Sequence, residues 1–156
     1  MDMRYPALLI ASLVMSACSA YRLHEAEMPG APPRGAGRIC VLRSSASAWA
    51  ATFVVRDNGR LVGATRGGTF FCYFAGVGRH HITSESDGTD EATVVVADGR
   101  RYYLEQDTSN TFGYVRADLR WVDEQTGYEM MRGSEHSALV DAPDGEVLRS
   151  GVAPAR

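Results

Sequence analysis

Lysine is absent from this chain of 156 residues, and all 16 of its basic residues are arginine. The arginines are spread among 19 acidic residues, which leaves a formal net charge of -3. Proteins that bind nucleic acid usually concentrate positive charge in a patch or stripe, with aromatic side chains between the basic residues. Because the sequence contains no such stripe, we expect no nucleic acid among its partners.

A hydrophobic segment long enough to span a bilayer is also missing. The longest nearly apolar run covers residues 7–15, whereas a transmembrane helix needs about 20 residues. Arg4 precedes this run, and the small residues Ser16 and Ala17 follow it. This order is typical of a secretory signal peptide with a small-residue cleavage site.

The residue after the small pair is Cys18, and residues 15–18 resemble the lipobox of bacterial lipoproteins. The resemblance implies that residues 1–17 are removed as a signal peptide and that Cys18 is lipidated as the first residue of the mature protein. Two or more acyl chains anchor a protein stably, whereas one chain binds a membrane only marginally. In the lipoproteins that this leader resembles, an aspartate after the lipidated cysteine favours the inner membrane. Ser19 stands at that position here, so the resemblance implies the outer membrane, facing the periplasm. The alternative is an ordinary signal cut nearby, for example after Ala20, which would release a soluble periplasmic protein.

Composition divides the mature chain into three parts. Residues 18–37 are rich in proline and glycine, so we predict a flexible tether behind the lipidated cysteine. Residues 38–132 alternate short apolar runs with turn signals, and they are long enough to form one domain with its own core. Residues 133–156 carry further prolines and glycines, and we predict a flexible C-terminal tail.

Short β-rich runs separated by glycine turns predict an all-β domain. Asn58-Gly59 between two apolar runs is a strong hairpin signal, because a type I′ turn needs positive φ at both central residues. Helical signals are sparse, and only residues 123–131 could hold a turn or a short helix. We therefore predict a small antiparallel β-sandwich, with a small barrel as the alternative.

Once Cys18 is lipidated, two cysteines remain, Cys40 and Cys72, and both lie in predicted strands. An oxidising compartment permits a disulfide between them. The alternative is a pair of buried free thiols, because cysteine is a common core residue. The sequence alone does not decide whether their Cβ atoms approach within about 4.5 Å, as a disulfide requires.

Several short motifs follow one another in a characteristic order. They are Arg38-Ile39-Cys40-Val41-Leu42-Arg43, Asp57-Asn58-Gly59 running into Leu61-Val62-Gly63, Gly68-Thr69-Phe70-Phe71, Gly78-Arg79-His80 and Tyr102-Tyr103-Leu104. Their order resembles an uncharacterised bacterial domain family, a domain of unknown function found largely in small lipoproteins, over roughly residues 37–131. Family members commonly have proline where Val77 stands, so the local turn is less rigid here. The resemblance implies a β-sandwich-like fold and an envelope location, and it supplies no activity and no catalytic residues.

The usual signatures of catalysis and metal binding are not visible. His80 and His81 are adjacent, and neighbouring residues on a strand point to opposite faces, so one ion is not readily held by both. Zinc would need three or four converging ligands, and no such spacing occurs. The serine-rich segment 44–47 has no Gly-x-Ser-x-Gly elbow around it. We expect no catalytic residues, no metal and no cofactor, and we expect His80 to stabilise the turn at Gly78 by hydrogen bonding.

Aromatic residues are the remaining candidates for function. Strand alternation must send some of them outward unless both faces of the sheet are covered. The alternative is that all of them are core, whereas exposed tyrosine and phenylalanine are favoured at interfaces. We expect a non-catalytic binding or structural module whose partner is an envelope protein or a cell-wall component. The other functional class is an envelope hydrolase or a cell-wall-modifying enzyme. The predicted partner-binding residues are Phe71, Tyr73, Tyr102 and Tyr103.

Overall fold

The computed structural model describes residues 21–44, 48–143 and 151–156. The predicted signal peptide, the lipidation site Cys18 and the start of the predicted tether lie outside the described residues. No helix in the described part of the chain is long and apolar enough to cross a membrane. The described elements are β1 Arg22–Glu25, β2 Ala36–Arg43, β3 Phe53–Asp57, β4 Arg60–Thr65, β5 Thr69–Gly76, β6 Gly78–Glu85, β7 Thr89–Val96, β8 Arg101–Thr111, β9 Tyr114–Val122, α1 Glu124–Arg132 and β10 Glu135–Asp141.

The strands form two sheets with the main apolar core between them, which confirms the predicted all-β sandwich. The larger sheet has the strand order β1-β10-β5-β2-β8-β9, and the smaller one has the order β4-β3-β6-β7. The larger sheet is mixed and not wholly antiparallel as predicted, because β2 runs parallel to β8 and β10 runs parallel to β5. Parallel neighbouring strands need a long crossover connection. Between β2 and β8 the chain forms the strands of the smaller sheet, and this path provides the crossover. The core residues include Ile39, Val41, Val55, Phe71, Ile82 and Leu104.

Strand β2 lies at the centre of the larger sheet, and all of its residues are buried. Ile39 and Val41 face the main core between the sheets. Cys40 and Leu42 point to the opposite face, where they belong to a second, smaller core. The larger sheet is therefore covered on both sides around β2, which explains the continuous apolar run in this strand.

Helix α1 closes that second core and confirms the short helix expected near residues 123–131. The carboxylate of Asp123 caps its N-terminus by accepting a hydrogen bond of 3.0 Å from the Thr126 N–H. Met131 reaches the same core as Tyr103. Gly127 lies directly on the Tyr103 side chain, and a Cβ at position 127 would stand only 2.4 Å from the ring carbon Cγ. The helix approaches the sheet this closely because position 127 has no side chain.

The two ends of the described chain differ from the prediction. Strand β1 lies inside the predicted tether, and it pairs with β10 inside the predicted tail. Near the C-terminus, the buried residue Ala153 exchanges backbone hydrogen bonds with β5. Residues 135–141 form a strand and Ala153 pairs with β5 where the sequence predicted a flexible tail, while residues 144–150 lie outside the described residues. Proline and glycine on both sides of β10 hid its alternation, in which Ser137 and Leu139 are buried.

The predicted hairpin at Asn58-Gly59 is confirmed. Asp57 pairs with Arg60 across the turn between β3 and β4. Both central residues have positive φ, +50° at Asn58 and +82° at Gly59. These are the dihedral signs that a type I′ turn requires.

Candidate functional site

One polar cluster of the interior consists of Asp57, Tyr73 and His80 from β3, β5 and β6. The Tyr73 hydroxyl donates to Asp57 Oδ2 at 3.0 Å, and His80 Nδ1 lies 2.7 Å from the same oxygen. His80 Nε2 donates to the carbonyl of Gly76 at 2.8 Å. This bond links His80 to the connection between β5 and β6. His80 was expected to stabilise the turn at Gly78, and its partner is the carbonyl of Gly76, two residues earlier.

The contact with the Gly76 carbonyl assigns one proton of this cluster. A carbonyl can only accept, so His80 Nε2 carries a proton, and one further proton is shared between Nδ1 and Asp57. Burial raises the pKa of Asp57, while the charge and hydrogen bonds of its neighbours act to lower it. Burial also holds the pKa of Tyr73 well above its ordinary value, so its hydroxyl stays a donor. The cluster therefore joins three strands through one buried carboxyl group.

Burial excludes this cluster from contact with a substrate. The side chains of Asp57 and His80 are both 0% exposed, and the cluster lies inside the core. An acid and a histidine in hydrogen-bond contact resemble part of a catalytic constellation, but a catalytic group must reach the reacting atoms. We therefore assign this cluster to the stability of the fold.

The structure corrects the predicted partner-binding face. Phe71 and Tyr73 are buried in the main core. Tyr103 is buried on the opposite face, because α1 covers the side of β8 that strand alternation would otherwise expose. Of the four predicted residues only Tyr102 reaches the surface, and it is half-buried. These residues do not form an exposed aromatic face.

Cys40 and Cys72 are joined by a disulfide in the structure. They face each other in the antiparallel register of β2 and β5, with their Cα atoms 4.0 Å apart. Both belong to the core that α1 covers. The bridge thus links the two central strands of the larger sheet on the side away from the main core.

The best candidate for a binding site is a surface cleft of about 550 Å³ beside the start of β8 and the end of β9. Trp121 and Tyr102 line the cleft, with their ring centroids 6.3 Å apart in an edge-to-face arrangement. The indole N–H of Trp121 donates to the Thr93 carbonyl at 2.9 Å. The Tyr102 hydroxyl accepts from the Ala97 N–H at 2.9 Å and donates to the Val95 carbonyl at 3.2 Å. Backbone hydrogen bonds thus hold both rings in place.

Charged side chains line the remainder of the cleft. Arg100 is exposed, and its guanidinium has no partner among the described residues. Arg101 donates to the Tyr128 hydroxyl at 2.7 Å and lies 3.5 Å from the Glu124 carboxylate. Asp123 is engaged as the cap of α1, and hydrogen bonds from Thr126 hold its pKa below the ordinary value. A carboxylate stabilised in its ionised form is poorly suited to act as a general acid at neutral pH.

Sequence reasoning missed the cleft because its lining comes from separate elements. The structure brings together Val94 of β7, the turn before β8, and the junction between β9 and α1. Trp121 packs against the main core and also lines the cleft. The local signal that could have found this site is the pair Arg100-Arg101 directly before Tyr102.

No group of three or more histidine, cysteine, aspartate or glutamate residues that could hold a metal ion occurs within residues 21–44, 48–143 and 151–156. Comparison with known proteins found no matching family model, no matching curated protein and no matching solved structure. The resemblance to a lipoprotein domain family therefore stays a prediction. Function has to be argued from the chemistry of the site itself.

Proposed function

We propose that this protein is a lipid-anchored lipoprotein of the bacterial cell envelope that acts as a non-catalytic binding module. The anchor is supported by the order of residues 1–18, in which a short apolar run is followed by two small residues and Cys18. The bridge between Cys40 and Cys72 suits an oxidising compartment such as the periplasm. The same leader, with Ser19 after the cysteine, supports the outer membrane as its location.

The observation that carries a binding role is the preorganisation of the cleft. Trp121 and Tyr102 are held by hydrogen bonds to backbone groups of β7 and of the turn that follows it. Rings that are fixed before a ligand arrives lose little conformational entropy on binding. Arg100 adds an exposed guanidinium, which recognises carboxylates by charge-assisted hydrogen bonds. Ring surfaces beside an exposed arginine suit a ligand that carries both flat or ring-shaped groups and carboxylates.

Cell-wall material fits this chemistry. Peptidoglycan combines sugar rings, which stack on aromatic side chains, with peptide carboxylates, which arginine binds. An acidic segment of an envelope protein would offer similar groups to Arg100 and Trp121. We favour the cell-wall component, because the fixed rings of the cleft provide a concave surface rather than a flat one.

The test is cosedimentation of the full-length lipidated protein, in detergent, with purified peptidoglycan. Arg100→Glu reverses the free charge of the cleft, and Arg79→Glu makes the same change at an exposed position of β6 outside it. We expect Arg100→Glu to weaken binding about tenfold or more, because a hydrogen bond to a charged group contributes about 1.5–3 kcal/mol. Arg79→Glu should bind like the parent.

Two results would contradict the proposal. Equal binding by the parent and Arg100→Glu would show that the cleft is not the binding site. Release of soluble fragments from peptidoglycan by the purified protein would support the alternative class, an envelope hydrolase or cell-wall-modifying enzyme.

A further inference from the structure

Three large aromatic side chains are highly exposed in the loops of the sandwich: Trp49 at 71%, Phe112 at 98% and Tyr114 at 65%. Phe112 lies in the two-residue turn between β8 and β9, and Tyr114 is the first residue of β9. Trp49 lies in the connection from β2 to β3. Rings with this degree of exposure do not contribute to the core, and exposed apolar side chains that lie close together can mark a protein or membrane interaction site.

The three rings lie at the same end of the molecule. A shallow surface depression of about 440 Å³ is lined by Ala50 and Val115, among others. Trp49 precedes Ala50 in the chain, and Tyr114 precedes Val115. Trp49 and Tyr114 are therefore chain neighbours of residues that line one depression, and Phe112 lies in the turn just before Tyr114, on the side where β2 and β8 end and β9 begins.

The chain enters the fold at this same end. Tyr21, the first described residue, lines the same depression. Its carbonyl accepts a hydrogen bond of 3.2 Å from the guanidinium of Arg66. The next residue, Gly67, donates its N–H to the carbonyl of Trp49 at 3.1 Å. Tyr21 and Trp49 are thus held to the same short turn between β4 and β5.

The distance to the predicted anchor is therefore short. Cys18 precedes Tyr21 by three residues, and three residues of extended chain span at most about 11 Å. The tether expected over residues 18–37 does not separate the domain from the anchor, because β1 already belongs to the sheet at Arg22. A lipid attached at Cys18 would enter a membrane beside the exposed rings.

We propose that this end of the sandwich rests on the lipid surface, with Trp49, Phe112 and Tyr114 in the interfacial region. The inference rests on the proposed lipid anchor at Cys18. Tryptophan and tyrosine are enriched at membrane interfaces, where the ring is partly apolar and the polar group stays hydrated. The anchor keeps the rings within reach of the bilayer, so each ring adds to binding at a high effective concentration.

The two acidic residues that line the depression are both hydrogen-bonded within the fold. Glu85 is paired with Arg56, with an N–O distance of 3.2 Å. The carboxylate of Asp87 accepts a hydrogen bond of 2.8 Å from the backbone N–H of Val115. Arg116, on the next position of β9, adds an exposed positive charge at this end. Such a charge is attracted to anionic headgroups.

The backbone at Phe112 is a second, independent indication. Phe112 has a φ of +54°, in the left-handed region that bulky residues rarely adopt. The equivalent position of the β3–β4 turn holds Asn58, with a φ of +50°, and asparagine tolerates this region well. Strained residues often occur where function requires a particular side chain. At 98% exposure, the Phe112 ring makes no core contacts that would offset this strain.

The experiment uses the full-length lipidated protein in vesicles of phosphatidylethanolamine and phosphatidylglycerol that carry bromine on the acyl chains near the headgroup. Flotation, with Cys18→Ser as its control, first establishes whether the protein is anchored. Quenching of tryptophan fluorescence by bromine then reports contact with lipid, and Trp49→Phe separates Trp49 from Trp121. Phe112→Asn removes the ring at the turn, and Val95→Thr removes an exposed apolar side chain of β7 as a matched control.

We expect the parent to be quenched, most of the quenching to be lost in Trp49→Phe, and Phe112→Asn to reduce it while its melting temperature does not fall. Val95→Thr should behave like the parent. A protein that floats without quenching of Trp49 would overturn the inference while leaving the anchor intact. Unchanged quenching in Phe112→Asn would overturn the placement of the hairpin in the interface. A parent that fails to float would overturn the proposed anchor and the inference with it.

Discussion

Substitution of Gly127 by alanine tests how closely α1 packs on the larger sheet. Alanine is favoured over glycine inside a helix by about 1 kcal/mol. At this position, however, a Cβ would lie 2.4 Å from Cγ, 2.6 Å from Cδ1 and 2.9 Å from Cβ of Tyr103. These atoms form the base of a buried side chain, so they cannot move aside as the tip of a flexible chain would. Overpacking of a well-filled core costs about 1–3 kcal/mol.

The two contributions have opposite signs, and the contact distance decides between them. Relief of the clash requires α1 to move away from the sheet, which opens the core that contains Leu42, Phe70 and Met131. We therefore expect Gly127→Ala to destabilise the protein by about 1–2 kcal/mol despite its higher helix propensity. For a domain of this size, such a loss lowers the melting temperature by several degrees.

The assay is urea and thermal unfolding of the parent, Gly127→Ala, Tyr103→Ala and the double variant, with the disulfide intact. In the Tyr103→Ala background the contacts with Cγ and Cδ1 are gone and only the 2.9 Å contact with Cβ remains, so Gly127→Ala should be clearly less destabilising than in the parent. The coupling between the two changes should then be at least about 1 kcal/mol, as expected for residues in direct contact. A neutral or stabilising effect of Gly127→Ala in the parent would refute the close packing of α1 on Tyr103.

Three further results are expected. Phe112→Asn should raise the free energy of unfolding by about 0.5–1.5 kcal/mol in urea unfolding, because it removes a bulky residue from the left-handed region; a loss of stability would show that the ring contributes to the fold. Protein taken from the envelope should show no free thiol at Cys40 or Cys72 when labelled under denaturing, non-reducing conditions, and reduction should cost about 3–4 kcal/mol for a separation of 32 residues; two reactive thiols would contradict the bridge. Asp57→Ala should destabilise the fold by about 2–4 kcal/mol in urea unfolding, because it leaves two buried hydrogen-bonding groups without their acceptor; a change below about 0.5 kcal/mol, the usual effect of a neutral surface substitution, would speak against the cluster as a structural centre.

Local signals in the sequence predicted those parts of the fold that depend on local chemistry. Asn58-Gly59 gave a correct turn, since the positive φ it requires is a property of the residues themselves. β10 was missed because the burial of Leu139 depends on contact with the distant residues Val54 and Ala64. The residues next to Leu139 in the chain do not indicate that contact.

The candidate site was predicted less well for a similar reason. Alternation along β8 correctly sends Tyr102 and Tyr103 to opposite faces, but alternation does not reveal what covers each face. Helix α1 is short and its sequence signal is weak, so the burial of Tyr103 beneath it could not be predicted. The cleft around Trp121 arises only when β7, β9 and the start of α1 meet, so no single segment of the sequence describes it.

The length of β8 has a further consequence for where binding takes place. The strand runs for 11 residues, and at about 3.3 Å per residue it extends roughly 36 Å. Arg101 at its start lines the cleft, whereas Thr111 at its end adjoins the turn that carries Phe112. If the end that carries Phe112 rests on the membrane, the cleft lies at the opposite end of β8. The length of β8 then sets the distance between the cleft and the bilayer. Material lying above the membrane could then be bound without approaching the bilayer, and lengthening or shortening the β8–β9 hairpin would alter that distance.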